Sequence, residues 1–223
     1  MSWPQQAIKI CGVRSVEAAV TAASAGADLI GMIFAPSKRQ IEVSLAQEIA
    51  QAVRATATDC RLVGVFANAP ASEIQAIAQA VGLDVVQLSG DEPIAISEHI
   101  ELPLLKAVRL SNKNSEQAWY DIAQDQQRIR LVVDAHVPGS YGGAGVLADW
   151  QAARRLAQTT PLLLAGGLEP TNVAQAIQAV EPWGVDVSSG IETAGNKDLN
   201  KIIQFVKIAQ QALNALRVAR RNA

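Results

Sequence analysis

The feature that most restricts how this chain can fold is a regular alternation of eight short apolar runs with longer amphipathic segments. The runs are Ala7–Ile10, Leu29–Phe34, Leu62–Phe66, Val85–Leu88, Leu104–Val108, Arg130–Asp134, Leu162–Ala165 and Gly184–Ser188, each four to six residues long. They are mostly continuous rather than alternating apolar and polar, as strands buried on both faces require. Between them, stretches rich in alanine and glutamine, such as Ser15–Ala25, Leu45–Ala55, Ala71–Ala80 and Thr171–Ala179, carry a helical period. Alternating strands and helices imply parallel strands joined by right-handed crossovers. Eight units of about 28 residues in a 223-residue chain favour an α/β fold of one closed (β/α)8 TIM barrel. An open doubly wound sheet is the runner-up, but it usually carries a G-x-G-x-x-G turn after its first strand. Here that turn reads Cys11-Gly12-Val13-Arg14-Ser15. No linker or shift in composition divides the chain. Residues 1–223 are therefore read as one barrel domain, with a loose N-terminus (1–6) and a basic C-terminal helix end (212–223).

Composition narrows the classes of function. With 49% apolar and 18% charged residues the chain can form a sizeable core. A net charge of −2, no basic stripe and four scattered tryptophans give no footprint for nucleic acid. No run approaches the roughly 18 apolar residues of a membrane span, and the first residues lack the apolar core of a signal peptide. A soluble protein of a reducing cytoplasm is expected. The two cysteines and two histidines do not suggest a disulfide scaffold.

In a barrel of this kind chemistry gathers at the C-terminal ends of the strands. Nearly every run here closes on a group that can ionise, donate, or offer bare backbone amides. The first ends in Lys9-Ile10-Cys11-Gly12, the second runs on to Lys38 and Arg39, and the fourth contains Gln87 and leads into Ser89-Gly90-Asp91-Glu92. The fifth holds Lys106 and the sixth ends at Asp134. The seventh and eighth end in Gly166-Gly167 and Ser188-Ser189-Gly190, with Asp186 just before. Glycine-rich loops after the last two strands form the usual phosphate site of such barrels, because backbone N–H groups can approach an anion closely there. Gly143 and Gly145 could join them from the loop after the sixth strand. Lys9 shares a strand face with Cys11 and could lower the thiol pKa. Cys60 precedes the third strand and should lie at the opposite rim, which makes a Cys11–Cys60 disulfide improbable. His99 reads as structural, and His136 as a loop residue.

Together KICG, GADLIGMIFAPSKR, LVGVF, QLSGDE, LLLAGGLEPTNV and GVDVSSGIE followed by Lys197-Asp198 resemble the signatures of the phosphoribosylanthranilate isomerase family, in order, from about Lys9 to about Phe205. The resemblance implies a (β/α)8 barrel without cofactor or metal. The implied reaction is an Amadori rearrangement of a phosphosugar–anthranilate conjugate, in tryptophan biosynthesis. Carried over by motif, Cys11 corresponds to the general base and Asp134 to the general acid. Arg39 corresponds to the arginine that meets the anthranilate carboxylate. Gly166, Gly167, Ser189 and Gly190, with Gly143 and Gly145, correspond to the phosphate cradle. Lys9, Gln87, Asp186 and Ser188 complete the expected substrate-binding set. A small-molecule substrate is the expected partner, and a monomer is expected rather than a homodimer. Three positions depart from the family's common pattern: Ser89 where a histidine is usual, Ala144 where a threonine or serine is usual, and Ala148 where an aromatic or leucine is often found. They bear on affinity more than on the acid or the base. Two other readings stay open at this point. One is a lyase of the same pathway, which should carry a lysine–glutamate pattern instead. The other is a barrel that binds a phosphosugar without turning it over.

Overall fold

A computed structural model describes residues 3–56, 59–110, 114–134 and 144–221. Eight parallel strands close on themselves: β1 (Ala7–Cys11), β2 (Leu29–Ile33), β3 (Arg61–Phe66), β4 (Val85–Leu88), β5 (Leu104–Val108), β6 (Ile129–Asp134), β7 (Leu162–Ala165) and β8 (Gly184–Val187). Closure is made by β8 against β1, where Lys9 stands opposite Asp186. The expected barrel is therefore observed, with strand ends that differ from the apolar runs by at most one residue.

The continuous apolar runs are split by the two-residue period of a strand. Ala7, Leu29, Val63, Val65, Val85, Leu105, Val132 and Leu163 fill the barrel interior. Their neighbours Ile8, Ile10, Ile30, Leu62, Val86, Leu104, Leu131, Leu164 and Val185 face the helix layer. Both faces are dry, and each fully buried branched side chain contributes about 1.5–3 kcal/mol. The helices are α1 (Val16–Ala25), α2 (Val43–Ala55), α3 (Ala71–Val81), α4 (Asn114–Asp125), α5 (Ala144–Ala157), α6 (Val173–Val180) and α7 (Leu199–Arg221). Helix α1 shows how local chemistry sets their ends. Ser15 accepts a hydrogen bond from the Ala18 amide, and Gly26 stops the helix at φ 97°. Its buried face is Ala18, Ala19, Ala22 and Ala23, small enough to bring the helix close to the sheet.

The alternation has one gap. After β4 there is only a 3₁₀ helix, Ile94–His99, so His99 closes a short turn rather than a full crossover helix. The two chain ends are tied together. Trp3 packs edge-on against Trp183 at 5.5 Å, Trp183 Nε1 donates to the Pro4 carbonyl, and Gln6 Nε2 donates to the Leu213 carbonyl. Residues 3–6, expected to be loose, thus brace the N-terminal end of the barrel. The basic C-terminal segment continues α7 as far as Arg221. Arg217 donates to Gln5, and Arg220 donates to the Glu181 carbonyl.

Candidate active site

The C-terminal mouth is organised around β1. Lys9 and Cys11 point into the barrel one turn of the pleat apart; Lys9 is fully buried and Cys11 nearly so. Lys9 Nζ lies 3.0 Å from both carboxylate oxygens of Asp186 across the β1–β8 seam. Room for this arrangement comes from Gly31 on β2. A side-chain carbon there would stand 3.0 Å from Cys11 Sγ and 3.2 Å from Lys9 Nζ. Burial by itself drives the Lys9 ammonium toward neutrality, but Asp186 and the Cys11 thiol outweigh it and hold its pKa above the usual lysine value. At Cys11 the balance goes the other way. Burial raises the thiol pKa, Lys9 and Lys197 lower it in part, and Asp186 raises it again, so the net direction is up. The expectation that Lys9 would lower this thiol is thus right in sign and outweighed in size, because desolvation of a thiolate is the larger effect.

Arg39, from the loop after β2, lies across the end of β1. Its Cδ would be 2.6 Å from any side-chain carbon at Gly12, which has φ 69°. Its Nε and Nη2 donate to the two oxygens of Glu192 at 2.6 and 2.9 Å, a fork-to-fork pair. Glu192 belongs to a small hairpin after β8, made of β9 (Glu192–Thr193) and β10 (Asn196–Lys197). Lys197 Nζ donates to Glu192 at 3.1 Å and to the Ser188 carbonyl at 2.8 Å. Burial alone would raise the Glu192 carboxyl; Arg39 and Lys197 hold it down at about 2.

Glu192, Lys197 and Gly31 are absent from the site expected from sequence. The available signals were Glu192 closing the SSGIE segment and Lys197 in the Lys197-Asp198 pair. Nothing local announces that either meets Arg39, which lies more than 150 residues away.

The remaining expected residues fall as follows. Gln87 is on the interior face of β4, donates from Nε2 to Ser89 Oγ at 3.0 Å, and is 5% exposed. Its Oε1 is buried with no hydrogen-bond partner among the described residues. Asp134 ends β6 on the interior side and is exposed to the mouth. Gly166 and Gly167 take φ 89° and 64° after β7. Gly190 packs so tightly on this loop that a side-chain carbon would collide with the Leu168 carbonyl, which knits the β7 and β8 loops together. Ser188 and Ser189 link β8 to the 3₁₀ turn Ser189–Ile191. Gly145 lies in the first turn of α5; Gly143 and His136 lie outside the described residues, as do the side chains of Ala144 and Ala148. Lys106 faces away from the mouth. It is paired with Glu92 at 2.6 Å under Trp119, in the helix layer. Cys60 is at the opposite rim, as expected, and both cysteines are thiols. No helix among the described residues is long and apolar enough to cross a membrane.

A closed barrel whose C-terminal mouth gathers a thiol, a carboxylate, a paired arginine and two knitted glycine loops defines a (β/α)8 enzyme equipped for acid–base chemistry on an anionic small molecule. The family model described as N-(5'-phosphoribosyl)anthranilate (PRA) isomerase matches residues 8–208. An N-(5'-phosphoribosyl)anthranilate isomerase of Roseiflexus sp. (strain RS-1) is 54% identical over 210 residues, covering 92% of this chain and 98% of the relative. The phosphoribosyl anthranilate isomerase of Thermotoga maritima, described as dimeric, superposes with a TM-score of 0.79 at 35% identity over 92% of this chain and 99% of its own. A further phosphoribosyl anthranilate isomerase, solved with reduced 1-(o-carboxyphenylamino)-1-deoxyribulose 5-phosphate, gives 0.76 at 32% identity, covering 92% and 99%. The chain belongs to the phosphoribosylanthranilate isomerase family: it is an isomerase of tryptophan biosynthesis.

Proposed function

We propose that this isomerase converts N-(5-phosphoribosyl)anthranilate into 1-(2-carboxyphenylamino)-1-deoxyribulose 5-phosphate, with Asp134 as general acid and Cys11 as general base. Asp134 gives a proton to the furanose ring oxygen as the C1–O bond breaks, leaving a Schiff base between C1 and the anthranilate nitrogen. That cationic carbon acidifies the C2 proton. Cys11 removes it as a thiolate, and the resulting enolamine gains a proton at C1 and gives up the proton of its C2 hydroxyl to become the ketone. Each acid–base role is worth about 10²–10⁴ in rate. The arrangement carrying this reading is the buried Cys11 beside the Lys9–Asp186 pair, where a fixed cation faces the atom that must become negative.

Binding is assigned to the rest of the mouth. The knitted loops with Gly166, Gly167, Ser189 and Gly190 hold the phosphate, with Gly143 and Gly145 contributing. Glu192 occupies the Nε/Nη2 edge of Arg39, so the Nη1 edge is the one offered to the anthranilate carboxylate. Gln87 Oε1 awaits a donor and suits a sugar hydroxyl. Ser188 is assigned to the floor of the same cradle. Lys9 and Asp186, expected to bind substrate, act on this reading through Cys11. The protein works as a monomer, a reading supported by the scarcity of exposed large apolar side chains, only Ile203 and Val218 among the described residues, and it works in the cytoplasm. Sedimentation equilibrium tests the first of these points.

The decisive assay adds N-(5-phosphoribosyl)anthranilate and follows loss of its fluorescence. Asp134→Asn keeps the shape but has no proton to give. It should lower kcat by about 10²–10⁴ with little change in KM. An unchanged kcat with a raised KM would make Asp134 a binding residue and place the acid elsewhere. A wild-type chain that binds the substrate without consuming it would favour the binding-only reading.

A further inference from the structure

The Glu192–Lys197 hairpin lies beyond the strand ends where chemistry is expected, yet it buries a lysine. The Lys197 side chain is 5% exposed, and its ammonium donates to the Ser188 carbonyl at 2.8 Å, to Ser188 Oγ at 3.3 Å and to Glu192 at 3.1 Å. Burying a long charged side chain in a two-residue strand adds little to folding; what it does is bring charge to one place. Ser188 Oγ stands 3.1 Å from where a side chain at Gly12 would begin, and Gly12 directly follows Cys11. Lys197 also grips the carboxylate that grips Arg39. The hairpin thus reaches both Arg39 and the Cys11 end of β1.

We propose that Lys197 is a positioning residue for the reaction: it locks Glu192, and through it Arg39, and its ammonium adds a positive charge that favours the Cys11 thiolate. The proposal rests on Cys11 being the base. The charged groups around the thiol are Lys9 from β1, Asp186 from β8, Lys197 from β10 and Arg39 from the loop after β2. Two of the three cations are already committed, Lys9 to Asp186 and Arg39 to Glu192. Lys197 shares Glu192 with Arg39, so two cations face one carboxylate near Cys11. Burial and the neighbouring Arg39 pull the Lys197 ammonium below the usual lysine range, and Glu192 and Cys11 offset that only in part.

The test reads the thiol directly. Iodoacetamide alkylation of Cys11 is followed against pH, by mass of the modified peptide, in the wild type, Lys197→Met, Lys197→Arg and Glu192→Gln. In Lys197→Met the alkylation midpoint should move up by about one unit, making alkylation about tenfold slower at a fixed pH below the midpoint. KM should rise as well, because Arg39 loses part of its hold. Lys197→Arg should restore most of the alkylation rate. Glu192→Gln breaks the same clamp but keeps the ammonium, so it should raise KM without slowing alkylation. An alkylation profile for Lys197→Met that superposes on wild type would overturn the proposal. Equal slowing in Lys197→Met and Glu192→Gln would also overturn it, by making the hairpin a mechanical strap only. If Lys197→Met does not fold, Lys197→Gln with the same comparison against Glu192→Gln decides. Full turnover in Cys11→Ala would instead sink the base assignment and leave the alkylation result standing.

Discussion

Each end of the barrel holds one cysteine and buries a cation, and the surroundings differ. At the C-terminal mouth Cys11 has Lys9, Lys197 and Arg39 around it, and the acids Asp186 and Glu192 are matched to those cations. At the N-terminal end Cys60 sits near Asp28 and Asp84; burial and those carboxylates push its pKa up to about 12. Arg61 stands near Asp28 there, and a half-buried cation, Arg130, has aromatic faces for company: its Cζ is 4.5 Å from the centre of the Trp183 ring and 5.8 Å from that of Trp3. Burial pushes both thiols up; at the mouth Lys9 and Lys197 offset part of that rise, whereas at the other end the carboxylates add to it. The same residue type is therefore a candidate base at one rim and an inert apolar filler at the other.

The largest expected break in this comparison is Cys11→Ala, which should cost about 10²–10⁴ in kcat while thermal unfolding stays close to wild type. Cys60→Ala should leave kcat unchanged. If the two variants behaved alike in the fluorescence assay, the contrast between the ends would carry no catalytic meaning.

Next in size is Lys9→Met. It strands Asp186 without its partner in the barrel interior, where loss of one member of a buried pair costs about 3–5 kcal/mol of stability. Replacing both, as Lys9→Met with Asp186→Leu, should recover most of that stability in urea unfolding but not the turnover. Recovered turnover in the double variant would show that the pair supports the fold and not Cys11.

Much of this frame is legible in the amino-acid sequence. Strand limits follow from the apolar runs because burial on both faces leaves little freedom in composition. The β7 and β8 loops follow from their glycines, since Gly190 has no room for a side chain. What sequence conceals is pairing across the barrel. Lys106 and Lys9 both sit inside an apolar run, yet one points to the helix layer and the other into the barrel. Only the strand register decides which, and a one-residue shift exchanges the faces. Glu192 and Lys197 stay hidden for a related reason. Their hairpin follows the last strand and meets Arg39 only when β8 closes against β1. The 3₁₀ turn at Ile94–His99 breaks an alternation that the apolar pattern alone extends through all eight units.

A smaller effect separates the ends by pH. The Glu192 carboxyl is held at about 2, below its usual value near 4.5. A lowered folded-state pKa contributes stability that is complete above about 4.5 and is lost as pH falls from there toward 2. Glu192→Gln should therefore melt below wild type at neutral pH, by about 3 °C. The gap should close between pH 5 and pH 2. A gap that persists unchanged to pH 2 would mean that Glu192 is held by packing and not by Arg39 and Lys197.

The smallest effect is expected at Arg130. Burial lowers the Arg130 pKa, and no carboxylate offsets it. Its Nε and the Trp3 Nε1 are buried with no hydrogen-bond partner among the described residues. Contact with two indole rings contributes about 0.5–2 kcal/mol. A buried donor left unsatisfied costs about 1–3 kcal/mol. These nearly cancel, so Arg130→Met, which keeps an unbranched stem between the rings, should change unfolding stability by no more than about 1 kcal/mol. It should leave kcat and KM alone, because the mouth lies at the other end of β6. Trp183→Ala should cost more than Arg130→Met, since it removes the ring that both Trp3 and Arg130 pack on. If Arg130→Met instead lost more than about 3 kcal/mol, the guanidinium would be acting as a paired charge. The N-terminal end would then resemble the catalytic one.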